Sequence, residues 1–146
     1  MGKYIIGIDQ STQGTKSLLF DENGELLARA DLPHRQIVNE KGWVEHDPEE
    51  FYRNVIQTVR NVVEKAGISK EEIVGAGISN QRETALSWDW EGRPVYNAIV
   101  WQCARGKVIC QRLKAHEAMI KERTGLQLSP YFSAAKLAWI LENVEE

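Results

Sequence analysis

Arg82 and Glu83 stand side by side in Asn80-Gln81-Arg82-Glu83-Thr84, directly after an apolar run over 73–79. An arginine and a glutamate at the end of a buried strand are costly unless something uses them. A guanidinium offers a planar fork of donors and a carboxylate accepts at two oxygens, so together they can grip the hydroxyls of a small polyol. An Arg–Glu pair in a structural network, or a solvated turn, is the competing reading. A second set, Asp9-Gln10-Ser11-Thr12-Gln13-Gly14-Thr15-Lys16, suits a different ligand. A carboxylate at a strand end can hold magnesium through water, because magnesium keeps much of its hydration shell. The small polar residues after it can aim N–H groups and hydroxyls at phosphate oxygens, and Lys16 adds a point charge. Gly14 is followed by Thr15, so the Gly-Lys pair of a Walker A loop is missing. An ordinary polar hairpin turn closed by an aspartate remains the alternative.

Two later stretches carry aromatic residues in polar surroundings. Asn97-Ala98-Ile99-Val100-Trp101-Gln102-Cys103 places an indole that can lie against the carbon face of a polyol or simply fill a core. In the stretch 124–133, Tyr131 can give a hydroxyl to a substrate or serve the fold. Glu83 resembles a general base, but a carboxylate paired with Arg82 has a lowered pKa and suits binding better.

These residues need elements to hold them. Residues 4–9 read as a buried strand ending in Asp9, 15–20 as a second strand, and 25–32 as a third, with the hairpin signal Asp21-Glu22-Asn23-Gly24 between the last two. Asp47 and Pro48 mark a helix start, with Glu50 placed for a capping box. Phe51, Val55, Ile56, Val59, Val62, Val63 and Ala66 recur on one face before the stop at Gly67. Residues 73–79 read as a buried fourth strand and 84–90 as a fifth. A helix is expected over 103–123, with Ile109, Leu113 and Ile120 inward, and another over 134–144, with Leu137, Ile140, Leu141 and Val144 inward. Strands in a meander, a helix, then a buried strand with a polar end make an α/β pattern. That pattern matches the ribonuclease-H-like architecture of actin-like and sugar-kinase ATPase domains.

Composition bounds the function. The 146 residues fit one ordinary domain, and 42% hydrophobic with 27% charged residues is that of a globular protein. A net charge of −3 gives no broad basic surface for nucleic acid or anionic membrane. No apolar run approaches the roughly 20 residues a bilayer span requires, and no signal peptide is visible, so a cytoplasmic setting is expected. Cys103 and Cys110 match no zinc spacing and read as reduced structural thiols on one helix.

In order along the chain run Asp-Gln-Ser-Thr, Gly-Trp-Val-Glu-His-Asp-Pro (42–48), Asn-Gln-Arg-Glu-Thr, Ile-Val-Trp-Gln-Cys and Pro-Tyr-Phe-Ser. With these motifs the chain resembles the amino-terminal part of the FGGY carbohydrate kinases, the glycerol-kinase-like branch above all, over nearly all of its length. The resemblance implies ATP and Mg2+ as cofactors and transfer of a phosphoryl group to a terminal hydroxyl of a small polyol or sugar. It implies that Asp9, Thr12, Thr15 and Lys16 face the ATP phosphates, with Asp9 supporting the metal through water. It implies that Arg82 and Glu83 hold the polyol hydroxyls and that Trp101 and Tyr131 line the same pocket. Family enzymes are several times longer, with two large domains and a catalytic aspartate far downstream. The fold is therefore expected to be incomplete at its C-terminal end, with no catalytic base before Glu146, no kinase activity alone, and association through the truncated face. Ser11, Gln13, Gly14 and Lys16 differ from the first loop usual in the glycerol branch and lean toward other sugars such as xylulose. A non-catalytic polyol-binding or assembly module is the alternative from another class.

Overall fold

A computed structural model describes residues 2–145. In chain order the elements are β1 (Tyr4–Gln10), β2 (Gly14–Phe20), β3 (Leu26–Pro33), β4 (Ile37–Val38), β5 (Val44–His46), α1 (Pro48–Ala66), β6 (Ile73–Asn80), β7 (Ala98–Ile99), α2 (Lys107–Arg112), α3 (Glu117–Thr124) and α4 (Ser133–Asn143). They build two compact units where length suggested one domain. Residues up to Arg35 join Glu49–Gln81, and Gln36–Pro48 join the residues from Arg82 onward. Each unit closes its own core.

The first unit is a four-stranded sheet in the order β3-β2-β1-β6, antiparallel except for β6, which runs parallel to β1. The expected hairpin between β2 and β3 forms. Asp21 Oδ1 accepts from the N–H groups of Asn23 (2.9 Å) and Glu25 (2.8 Å), and Gly24 takes φ 81°. Ile6, Ile8, Leu19, Ala30 and Val62 form the core, with Val55, Val59, Val63 and Ala66 of α1 packed against it. Leu19 and Val62 are fully buried, each worth roughly 1.5–3 kcal/mol over exposure. Gly67 ends α1 at φ 65°, as its position predicts.

The fourth strand departs from expectation. β6 forms, but it lies at the sheet edge and is exposed along nearly all its length, with Val74 61% and Ile78 68% accessible. Apolar content is what a buried strand and an uncovered edge share, so composition cannot separate them.

The second unit carries a small antiparallel sheet in the order β4-β5-β7. Its strands are two or three residues long, too short to show alternation, and sequence reading passes over them. The strand expected over 84–90 reduces to the bridges Ala85–Ile99 and Trp88–Pro94. The helix expected over 103–123 is broken. A 3₁₀ turn at Ala104–Gly106 leads into α2, Leu113 leaves helical geometry (ψ 4°), and a second 3₁₀ turn at Lys114–His116 precedes α3. Leu113 is consequently exposed, Ile109 buried, and Cys103 lies before the first helical residue of this region. Val44, Ile99, Val100, Cys103, Ile109, Ala135, Trp139 and Ile140 make the core. In α4 the inward face is shifted: Ile140 is buried and Val144 packs against the core as expected, but Leu137 and Leu141 are exposed and Ala135, Lys136 and Trp139 are buried instead. Among the described residues no helix is long and apolar enough to cross a membrane.

Candidate functional site

In the first unit, antiparallel pairing sets Asp9 on β1 opposite Lys16 on β2. Their side chains meet at 3.1 Å and are 42% and 37% accessible, so the carboxylate keeps lone pairs for further partners. Between the strands Ser11 closes the turn, its N–H and its hydroxyl donating to Gly14 O at 2.9 and 3.0 Å. Gly14 is required there: a Cβ would stand 2.6 Å from Leu32 O. Gln81, just after β6, donates from its N–H to Gln10 O (2.7 Å), and Thr12 Oγ1 donates to its side-chain oxygen (3.4 Å). The polar turn is thus braced by the strand that precedes Arg82.

Thr15 stands apart from its neighbours. Its side chain is fully buried and its hydroxyl lies 2.8 Å from His34 Nε2. Alternation along β2 turns Thr15 to the packed face while Lys16 points the other way, so the hydroxyl expected to face phosphate serves the interior.

In the second unit Arg82 is exposed and Glu83 half-buried. Glu83 has φ 64°, the one described non-glycine residue with positive φ. A left-handed backbone costs a residue with a Cβ about 1–2 kcal/mol and persists only where surroundings impose it. Those surroundings are the start of α4. Glu83 Oε2 accepts from both the N–H and the hydroxyl of Ser133, each at 3.0 Å. The first N–H groups of a helix have no internal partner and favour a negative group, so the carboxylate is well placed there. It is Ser133, not Arg82, that engages Glu83.

Trp101 lies two residues past the end of β7, and its N–H donates to Thr84 Oγ1 at 3.2 Å. Its ring meets that of Tyr131 edge-on, centroids 6.0 Å apart at 66°, and Tyr131 in turn meets Phe132 at 5.3 Å. Trp101 and Tyr131 are 36% and 43% accessible, leaving aromatic surface for a ligand. Three of the four expected polyol contacts, Glu83, Trp101 and Tyr131, are therefore gathered by the segments flanking α4 and β7, with Arg82 adjoining in sequence.

A buried ionic network holds this framework. Glu45 of β5 accepts from Arg105, from the Tyr96 hydroxyl (2.8 Å) and from Asn97 Nδ2 (2.8 Å). The Arg105 guanidinium lies over the rings of Trp43 (4.5 Å), Trp139 (4.6 Å) and Tyr96 (5.7 Å), and its Nε donates to Cys103 Sγ. Burial pushes the Glu45 carboxyl up, but hydrogen bonds from Asn97, Arg105 and Tyr96 outweigh it and hold it below its ordinary value. Burial, then the Glu45 carboxylate, raise Tyr96.

Sequence reading missed Glu45, Arg105, Ser133 and Lys136. Arg105 gives no signal, since an isolated arginine usually marks a surface. Lys136 has one: it shares a helical face with Trp139 and Ile140 at i+3 and i+4. Both thiols are free. Among the described residues no group of His, Cys, Asp or Glu is arranged to hold a metal by itself. A single half-exposed carboxylate such as Asp9 suits a magnesium ion that reaches it through water.

Comparison with known proteins follows the same lines. Residues 4–146 match the FGGY family of carbohydrate kinases, N-terminal domain. Glycerol kinase 1 of Thermotoga maritima is 51% identical over 145 residues, spanning 97% of this chain and 30% of that protein. A crystal structure of Plasmodium falciparum glycerol kinase with ADP superposes with a TM-score of 0.86 at 35% identity, covering 97% of this chain and 29% of that one. Ligand-bound xylulose kinase from Lactobacillus acidophilus superposes with a TM-score of 0.87 at 27% identity, over 97% and 29% of the two chains. The chain thus spans about 30% of the length of the curated relatives it matches. With the motifs, the fold and the match over residues 4–146 in agreement, the chain belongs to the FGGY family of carbohydrate kinases and carries their N-terminal domain sequence.

Proposed function

We propose that this chain supplies the polyol grip and the phosphate-facing turn of an enzyme that moves the γ-phosphoryl group of ATP to a terminal hydroxyl of glycerol or a close relative. The observation that carries this reading is Glu83: a strained residue, anchored on the first turn of α4 beside the Trp101–Tyr131 pair. Strain of this kind persists where a side chain must be aimed. Arg82 and Glu83 orient the hydroxyls, while Trp101 and Tyr131 shape the wall against the carbon chain. Asp9, Thr12 and Lys16 face the phosphates, and Thr15 supports the turn from within through His34. Asp9 would hold a magnesium ion, which would neutralise phosphate charge. Phosphoryl transfer depends chiefly on positioning and charge stabilisation, and these residues provide both. The base that takes the hydroxyl proton is an aspartate belonging to the remaining length of the enzyme, by resemblance to the family. A cytoplasmic setting accords with the two free thiols.

A chimera tests this reading. Residues 1–146 replace the matching 145-residue segment of the Thermotoga maritima glycerol kinase 1. The chimera is expected to form ADP in a glycerol-dependent reaction, and the 146-residue chain alone to form none. An inert chimera that folds would sink the assignment, and activity of the isolated chain would overturn the placing of the base. The first loop, with Ser11, Gln13, Gly14 and Lys16, favours a second substrate class, so xylulose is assayed beside glycerol. A larger kcat/KM for xylulose would move the assignment to the sugar branch.

A further inference from the structure

Lys136 is the largest fully buried side chain among the described residues. It lies on α4 with Ala135, Trp139 and Ile140, where an unpaired cation is costly, and near a helix N-terminus, where positive charge opposes the dipole. Its Nζ donates to the carbonyl oxygens of Pro130 (2.9 Å), Phe132 (3.4 Å) and Tyr131. An ammonium has three donors, so three carbonyls saturate it. Burial lowers its pKa, and the nearby Glu83 carboxylate counters that effect.

These carbonyls belong to the turn that presents Tyr131. The same turn is closed by Tyr131 N–H to Ser129 Oγ (3.2 Å) and Phe132 N–H to Ser129 O (3.3 Å), and it continues into Ser133, which holds Glu83. Its base has no slack: a Cβ on Gly106 would stand 3.0 Å from Ala135 Cβ and 3.5 Å from Pro130 Cα. A turn whose carbonyls all face one buried point cannot keep that shape without a donor there, because unpaired buried carbonyls are expensive.

We propose that Lys136 is a positioning residue for the polyol pocket, clamping the Pro130–Phe132 carbonyls so that the Tyr131 ring is held at a fixed distance from Trp101. Lys136 touches no substrate and acts through Tyr131 and, by way of Ser133, through Glu83. The inference rests on the reading of Trp101, Tyr131 and Glu83 as the polyol site.

The test uses the chimera with Lys136→Met, which keeps the length of the side chain, and Lys136→Arg, which keeps donors. Lys136→Met is expected to raise the glycerol KM about tenfold or more while the ATP KM stays within about twofold, since sub-ångström misplacement weakens one substrate only. Lys136→Arg recovers part of the loss. An unchanged glycerol KM would overturn the inference. So would parallel losses in both KM values and in Tm, which mark a purely structural lysine. Where Lys136→Met fails to fold, Lys136→Gln, with two amide donors for three carbonyls, is expected to raise the glycerol KM selectively though by less, and an unchanged glycerol KM in it overturns the inference. Should the unsubstituted chimera be inert, the functional reading fails, and amide hydrogen exchange on that chimera judges the clamp separately. Faster exchange confined to Tyr131–Ser133 in the variant, with Trp139 and Ile140 still protected, supports it; uniform or absent change overturns it.

Discussion

Glu83 shows how a side chain's partner can escape a reading of its neighbours in sequence. Its type and place suggest a hydroxyl acceptor held by Arg82; the structure hands it to Ser133 instead and bends its backbone to φ 64° to do so. Neither fact is visible in Gln-Arg-Glu-Thr, because α4 begins 50 residues later. Replacement by glycine separates stability from function at this position. Glu83→Gly relieves about 1–2 kcal/mol of left-handed strain and forfeits about 1 kcal/mol of helix capping, so the midpoint of urea unfolding should shift little. The same change removes the acceptor, and the glycerol KM of the chimera is expected to rise about a hundredfold, a loss of roughly 3 kcal/mol for a charged hydrogen-bonding group. An unaltered KM would remove Glu83 from the site. Thr15 teaches the converse. The resemblance groups it with Asp9 and Lys16 as facing phosphate, but β alternation sends Thr15 inward to His34 while Asp9 and Lys16 meet each other.

At the scale of elements, α1 and the β1–β2–β3 meander were legible because long amphipathic runs and an Asn-Gly turn announce themselves locally. β5, β7 and the break between α2 and α3 were not. Short strands carry no period, and the Glu45–Arg105 pair that links β5 to the start of the 104–106 turn spans 60 residues. Removing one partner of such a pair strands the other charge. Arg105→Met is expected to destabilise the chimera by about 3–5 kcal/mol, and adding Glu45→Leu to restore much of that, both read from urea unfolding. A pH series tests the carboxylate itself. Glu45 is held below its ordinary 4.5 in the folded protein, so its contribution is complete above pH 4.5 and is lost as pH falls through the lower folded value. Glu45→Gln should flatten that acid limb and leave the pH dependence above 4.5 unchanged. A variant as acid-sensitive as the parent would place the titration elsewhere.

Across the whole molecule, β6 is the element whose environment most contradicts its composition. An eight-residue strand with one open edge and exposed Val74 and Ile78 is a template for further pairing. The 146-residue chain is therefore expected to self-associate in sedimentation velocity, and Val74→Lys with Ile78→Lys to return it to monomer. A monomeric parent would show that the edge is inert. By itself the sequence determined the first sheet's meander and the helix packed on it, because each is written in neighbours or in a short period. Tertiary structure alone decided that the chain forms two units, that Glu83 answers to Ser133, that Arg105 and Lys136 are interior cations, and that β6 is an edge. Those outcomes depend on which distant segments supply partners and cover, and a buried charge or a strained φ is tolerated only once those partners have arrived.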